Sequence, residues 1–177
     1  MDTAGTRAST RVVEQVRKLN AFMKSLVIYD SRFGNTEKIA QAMGTGIGGD
    51  ARVVRLGEIE VSEVQTARVL IVGSPTQGGM PTAGLQKFLH EIPAGTLKDV
   101  RVAAFDTRFL ELDQNVALRL LMKTIGYAAS KIEKILLEKG GQLAAPAEGF
   151  IVTGKEGPLQ EGEEERAQKW VSVIVHT

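Results

Sequence analysis

Residues 30–36 read Asp30-Ser31-Arg32-Phe33-Gly34-Asn35-Thr36, a cluster of hydroxyl and amide side chains around one glycine. The run follows an apolar stretch and opens a helical pattern, so it sits where a strand hands over to a helix. A helix N-terminus carries unpaired backbone N–H groups and the positive end of the peptide dipole, which suits an anion. Ser31, Asn35 and Thr36 can add side-chain donors, and Gly34 lets the backbone close on a phosphate. The loop has neither the lysine and spacing of an ATP-cradling loop nor a Gly-x-Gly-x-x-Gly run. A second reading is that Asn35 or Ser31 simply caps the helix, as these residue types do without any ligand.

Two further loops have chemical content. Residues 73–81 (GSPTQGGMP) are too rich in Gly and Pro for regular structure, and Gly78-Gly79 marks a tight turn. Residues 105–112 (FDTRFLEL) bring Asp106, Thr107 and Phe109 together, with Phe109 open to a ligand-facing role or to a plain core or lid role. Elsewhere the candidates are weak. The two histidines, His90 and His176, cannot build a multi-histidine metal centre, and with no cysteine the chain has no thiol nucleophile or thiolate metal site. Glu161 and residues 163–165 read as a solvated first helical turn, and Trp170 as a core residue sharing a helix face with Ala167 and Ile174.

The elements that must position these loops alternate in type. Short β-branched runs at 25–29, 51–56, 68–72, 101–105 and 150–153 are separated by helical patterns at 36–47, 82–92, 128–139 and 161–173. Continuous apolar strands such as SLVIY are expected where both sheet faces are covered. The rhythm predicts an α/β, three-layer, doubly wound five-stranded parallel sheet of order 2-1-3-4-5. Ligands of such sheets lie at the carboxyl ends of strands 1 and 3.

The 177 residues make one domain of ordinary composition, 43% hydrophobic and 24% charged, which excludes disordered and fibrous classes. Twenty-two basic against 21 acidic residues leave no basic surplus, so no nucleic-acid partner is expected, and no apolar run approaches a membrane span. The absence of cysteine fits a reducing compartment, and a cytoplasmic location is expected. Residues 1–22 read as a frayed extension or short helix, and the domain as residues 23–177. The segment near 108–126 is longer than a connection needs. Its helical pattern at 115–125 has two apolar stripes, which suggests an inserted lid that could also make a homodimer contact or could pack within the monomer.

The run LVIYDSRFGNTEKIA at 26–40 resembles the signature of the flavodoxin family. The resemblance extends through Gly73-Ser74-Pro75-Thr76, Phe105-Asp106-Thr107 and residues 150–154. It implies a flavodoxin-like fold and non-covalent FMN, with redox chemistry carried by the cofactor. By resemblance, Ser31, Phe33 (through its backbone), Gly34, Asn35 and Thr36 would hold the phosphate, and Arg32 belongs to the same cofactor-binding loop. Pro75, Thr76, Gln77, Gly78 and Gly79 would border the flavin ring, with the Gly78 carbonyl turning toward N5–H on reduction. Asp106 and Thr107 would meet the pyrimidine side, and Phe109 would stack on the ring. Gln77 replaces the aromatic that many flavodoxins place there. The resemblance implies an electron carrier serving a redox partner protein or a small-molecule acceptor. An NAD(P)H-dependent quinone reductase, or a binding module that kept only the fold, are alternatives. Arg32 and Arg108 are expected to flank the site and to make its potential less negative than that of acidic flavodoxins.

Overall fold

The computed structural model describes residues 25–109 and 126–176. In chain order these form β1 (Ser25–Tyr29), α1 (Asn35–Ile47), β2 (Ala51–Arg55), a 3-10 turn (Val61–Thr66), β3 (Val69–Pro75), α2 (Ala83–Glu91), β4 (Arg101–Phe109), α3 (Ala128–Glu138), β5 (Gln142–Leu143), β6 (Glu148–Val152) and α4 (Glu163–His176). The sheet is parallel throughout, with order β2-β1-β3-β4-β5 and β6 also paired to β4. The expected order is therefore present. Its last position is shared by two strands: β5 pairs with the start of β4 and β6 with its end. The extension at 1–22 and the proposed helix at 115–125, with its lid and dimer contact, lie outside the described residues.

Strand residues alternate between two apolar layers, as the pleat dictates. Leu26, Ile28, Leu70, Val72, Val102 and Ala104 face Leu85 and Leu89 of α2 and Ile132 and Leu136 of α3. Val27, Val69, Ile71, Ala103 and Phe105 face Ile39 and Met43 of α1 and Ala167, Val171 and Ile174 of α4. Both faces being covered explains why β1 and β3 read as unbroken apolar runs. Trp170 packs edge-on against Phe150 at 6.2 Å between centroids, and Phe150 does the same to Phe105 at 6.1 Å.

Two strands run further than the sequence pattern suggests, and both extensions reach the site. Gly73, Ser74 and Pro75 continue β3, and Asp106 to Phe109 continue β4, so neither stretch is loop. The cause is lateral pairing: Pro75 lies opposite Thr107, and Val152 opposite Phe109, so β4 is held on both sides as far as Thr107 and by β6 to its end.

The acidic start of α4 is also more than a solvated turn. Glu163 is buried, and its carboxylate accepts the Ile151 N–H at 2.6 Å and the Arg166 guanidinium. Arg166 reaches on to Glu148 at 3.0 Å and lies 4.4 Å over the Phe150 ring. Burial alone would raise the Glu163 pKa, but the Arg166 and Ile151 hydrogen bonds and the Arg166 charge outweigh it, and the net shift is downward. A depressed carboxylate contributes stability above its unfolded pKa of about 4.3 that is lost as pH falls through the folded value. Glu163→Gln should cost about 2 kcal/mol at pH 7, in line with a lost charged hydrogen bond. It should also flatten the loss of stability with acidification below about pH 4.3. Urea unfolding at pH 7 and pH 3 checks both, and an equal loss for the two chains over that interval would refute the assignment.

Candidate functional site

The carboxyl ends of β1, β3, β4 and β6 open into one cleft of about 450 Å³, within the roughly 300–1,000 Å³ common for small-molecule sites. Its lining includes Arg32, Phe33, Asn35, Thr36, Pro75, Thr76, Gln77, Gly78, Thr107 and Phe109. The structure thus brings together ten of the fourteen residues singled out from sequence. Ser31, Gly34, Gly79 and Asp106 are not on the lining.

The N-terminus of α1 settles the capping question. Its N-cap is Gly34, at φ 84°, and no side chain caps it. The first backbone bond of the helix runs from the Lys38 N–H to the Gly34 carbonyl. No hydrogen bond among the described residues uses the N–H of Asn35 or Thr36. The Ser31 hydroxyl instead accepts the Gly34 N–H at 3.1 Å, which shapes the loop. The Asn35 amide donates to the Glu156 carbonyl at 2.8 Å, across 121 residues. A helix start left uncapped beside a cleft keeps its donors available for an anion.

Side-chain hydrogen bonds lock the surrounding loops together. Asp30 accepts the Ser31 N–H at 2.8 Å and the Thr82 hydroxyl at 2.6 Å, joining the first loop to the N-cap of α2. The Thr36 and Thr107 hydroxyls lie 2.8 Å apart, with both residues buried. The Thr76 hydroxyl accepts the Ala128 N–H at 3.0 Å, satisfying the first turn of α3.

The second loop is a tight two-residue turn. Gln77 and Met80 exchange both backbone hydrogen bonds, at 2.9 and 3.0 Å, and the central residues sit at φ 56° (Gly78) and 80° (Gly79). Two consecutive positive φ values define a type I′ turn, which glycine adopts without steric cost. Gly78 faces the cleft and Gly79 is buried beneath it.

Asp106 is used up by the fold. It is wholly buried, and its carboxylate accepts Arg108 Nε at 2.6 Å, Arg108 Nη2 at 2.9 Å and the Ala129 N–H at 2.9 Å. Arg108 lies 3.7 Å over the Tyr127 ring and fills the space a side chain at Gly149 would need. Arg108 therefore points to the α3 layer, not to the cleft, and its charge is matched by Asp106. Of the two arginines expected to flank the site, Arg32 alone lines it. Phe109, at the end of β4, is 41% exposed, and Phe33 is 46% exposed with the Arg32 guanidinium 5.4 Å over its ring.

Val152, Lys155 and Glu156 complete the lining and were not anticipated. The signal was present: Gly154-Lys155-Glu156-Gly157-Pro158 is a polar, Gly- and Pro-rich connection at the carboxyl end of the last strand, where ligands of such sheets sit. Among the described residues no group of three or more His, Cys, Asp and Glu side chains could hold a metal ion.

A parallel 2-1-3-4-5 sheet covered on both faces, with a cleft at its carboxyl edge beside an uncapped first helix, defines a flavodoxin-like α/β domain. The family model described as Flavodoxin matches residues 27–107. A flavodoxin of Aquifex aeolicus (strain VF5) is 36% identical over 73 residues, 39% of this chain and 40% of that protein. The match thus spans about two fifths of the length of the curated relative. An archaeal flavodoxin structure superposes with TM-score 0.65 at 22% identity, over 87% of this chain and 97% of the other. Rubredoxin oxygen:oxidoreductase of the anaerobe Desulfovibrio gigas superposes with TM-score 0.62 at 18% identity, over 86% of this chain and 35% of that one. The structural likenesses speak to the fold. The family match covers residues 27–107, under half of the chain, and is a likeness to flavodoxins over that stretch.

Proposed function

We propose that the cleft binds FMN non-covalently and that the protein transfers electrons through it. The observation that carries this reading is the uncapped start of α1, opening beside Thr36 into a cleft that also holds an exposed aromatic and a glycine turn. The phosphate end would be held by the N–H groups at Asn35 and Thr36, with Thr107 supporting the Thr36 hydroxyl from behind. Ser31 and Gly34 shape that loop without lining the cleft. Pro75, Thr76, Gln77 and Gly78 would border the ring, and Phe109 would cover one face. Glycine at both central positions of the 77–80 turn lets the intervening peptide present either the Gly78 carbonyl or the Gly79 N–H as the ligand requires. FMN, when bound, supplies one- and two-electron redox chemistry, and the protein sets orientation and potential.

The electrons would pass to and from a redox partner protein or a small-molecule acceptor, in the cytoplasm. No helix among the described residues is long and apolar enough to cross a membrane. Flavin fluorescence quenching tests the cofactor assignment. FMN should bind more tightly than riboflavin by at least about 1.5–3 kcal/mol, the contribution of one hydrogen bond to a charged group. Equal affinity for the two flavins would overturn the reading. NADH or NADPH oxidation with a quinone acceptor separates a carrier, which should show none, from a reductase.

A further inference from the structure

The connection between β6 and α4, residues 153–162, is a separate wall of the cleft, and it brings a cation. Lys155 and Glu156 both line the cleft that contains Asn35 and Thr36. The connection is folded on itself: the Thr153 N–H donates to the Pro158 carbonyl at 2.8 Å, the Gly157 N–H to Gly154 at 3.1 Å, and the Gln160 N–H to Ile151 at 2.9 Å. It is also clamped to α1. Asn35 Nδ2 donates to the Glu156 carbonyl at 2.8 Å, and the backbone at Gly157 lies so close that an added Cβ would meet the Asn35 amide.

This places Lys155 one residue from a carbonyl that touches the first residue of α1. The helix start there has free N–H donors and no side-chain cap. Lys155 makes no ion pair or hydrogen bond among the described residues, so its ammonium is not committed to the fold. Arg32, also on the lining, has its guanidinium 5.4 Å from the centre of the Phe33 ring. An uncommitted ammonium on a flexible four-carbon stem beside a helix N-terminus suits a phosphomonoester dianion, whose charge the backbone donors alone would not neutralise.

We infer that Lys155 is a specificity-determining residue for the phosphate of the ligand, delivered to the helix start by a connection that Asn35 positions. The inference rests on the flavin-phosphate reading above, and its test keeps the two apart. Affinities for FMN and for riboflavin are measured by fluorescence quenching for the wild type, Lys155→Gln and Lys155→Arg. Loss of a charge-assisted contact should lower FMN affinity about tenfold in Lys155→Gln, with riboflavin affinity changed by less than about twofold. Lys155→Arg should retain most of the preference. The salt dependence of FMN binding should also be weaker in Lys155→Gln. Unfolding of the flavin-free protein should be the same in all three chains, because the Lys155 side chain makes no hydrogen bond or ion pair among the described residues. An unchanged FMN-to-riboflavin ratio in Lys155→Gln, or an equal loss of both flavins, overturns the role of Lys155 while wild-type preference for FMN still stands. A wild type without preference overturns both.

Discussion

Replacing Asp106 by alanine should destabilise the protein by about 3–5 kcal/mol, the cost of removing one partner from a buried ion pair. The carboxylate is wholly enclosed and satisfies two guanidinium donors and the Ala129 N–H. Arg108 is itself only 18% exposed along its side chain, so its charge would be left without compensation in a poorly solvated place. Asp106→Asn should cost less, because it keeps an acceptor for Ala129 while losing the charge. The pair can be separated from its surroundings by a double-mutant cycle. Asp106→Ala and Arg108→Ala together should cost clearly less than the sum of the two single changes. Urea unfolding checks both, and a loss below about 1 kcal/mol for Asp106→Ala would refute the assignment. The pair also joins the end of β4 to the start of α3. The variant should therefore bind FMN less tightly in proportion to its lost stability, without a change in the preference for FMN over riboflavin.

Gly73→Ala should cost about 2–4 kcal/mol, at or beyond the usual range for overpacking a filled core. Gly73 lies opposite Phe105 in the β3–β4 ladder, and the Phe105 ring covers it. A Cβ at this position would stand 2.0 Å from the ring's Cζ. The ring has no room to withdraw, because it is fully buried and packs edge-on against Phe150. Shortening the obstructing side chain should restore part of the loss, so Gly73→Ala combined with Phe105→Leu should be more stable than the sum of the single effects predicts. Strict additivity in chemical denaturation would show that the clash is relieved elsewhere. Because Ser74, Pro75 and Thr76 follow directly, the same displacement should weaken FMN binding through the position of Thr76.

The order of elements, the two-faced sheet and the position of the first loop at a helix start were legible from the chain itself, because each rests on local rules. Apolar runs of four to five residues signal strands buried on both faces, amphipathic periods signal the helices against them, and glycine with hydroxyl residues before a helix signals an open N-terminus. Gly78-Gly79 was likewise readable as a tight turn, since the turn demands positive φ at both positions. The same rules could not extend β3 and β4 into the site, because the end of β3 depends on pairing with β4, and the end of β4 on pairing with β6, whose residues come some forty positions later in the chain. They could not show that Asp106 and Arg108 neutralise each other, because neither residue type nor spacing says whether a charge meets solvent or a buried partner. They also could not foresee that Asn35 would clamp residues 153–162 to the first helix, which brings Lys155 and Glu156 to the cleft. Contacts across more than a hundred residues are decided only when the sheet closes and packs. The chain determines which loops can do chemistry, and the tertiary structure decides which side chains remain free to do it.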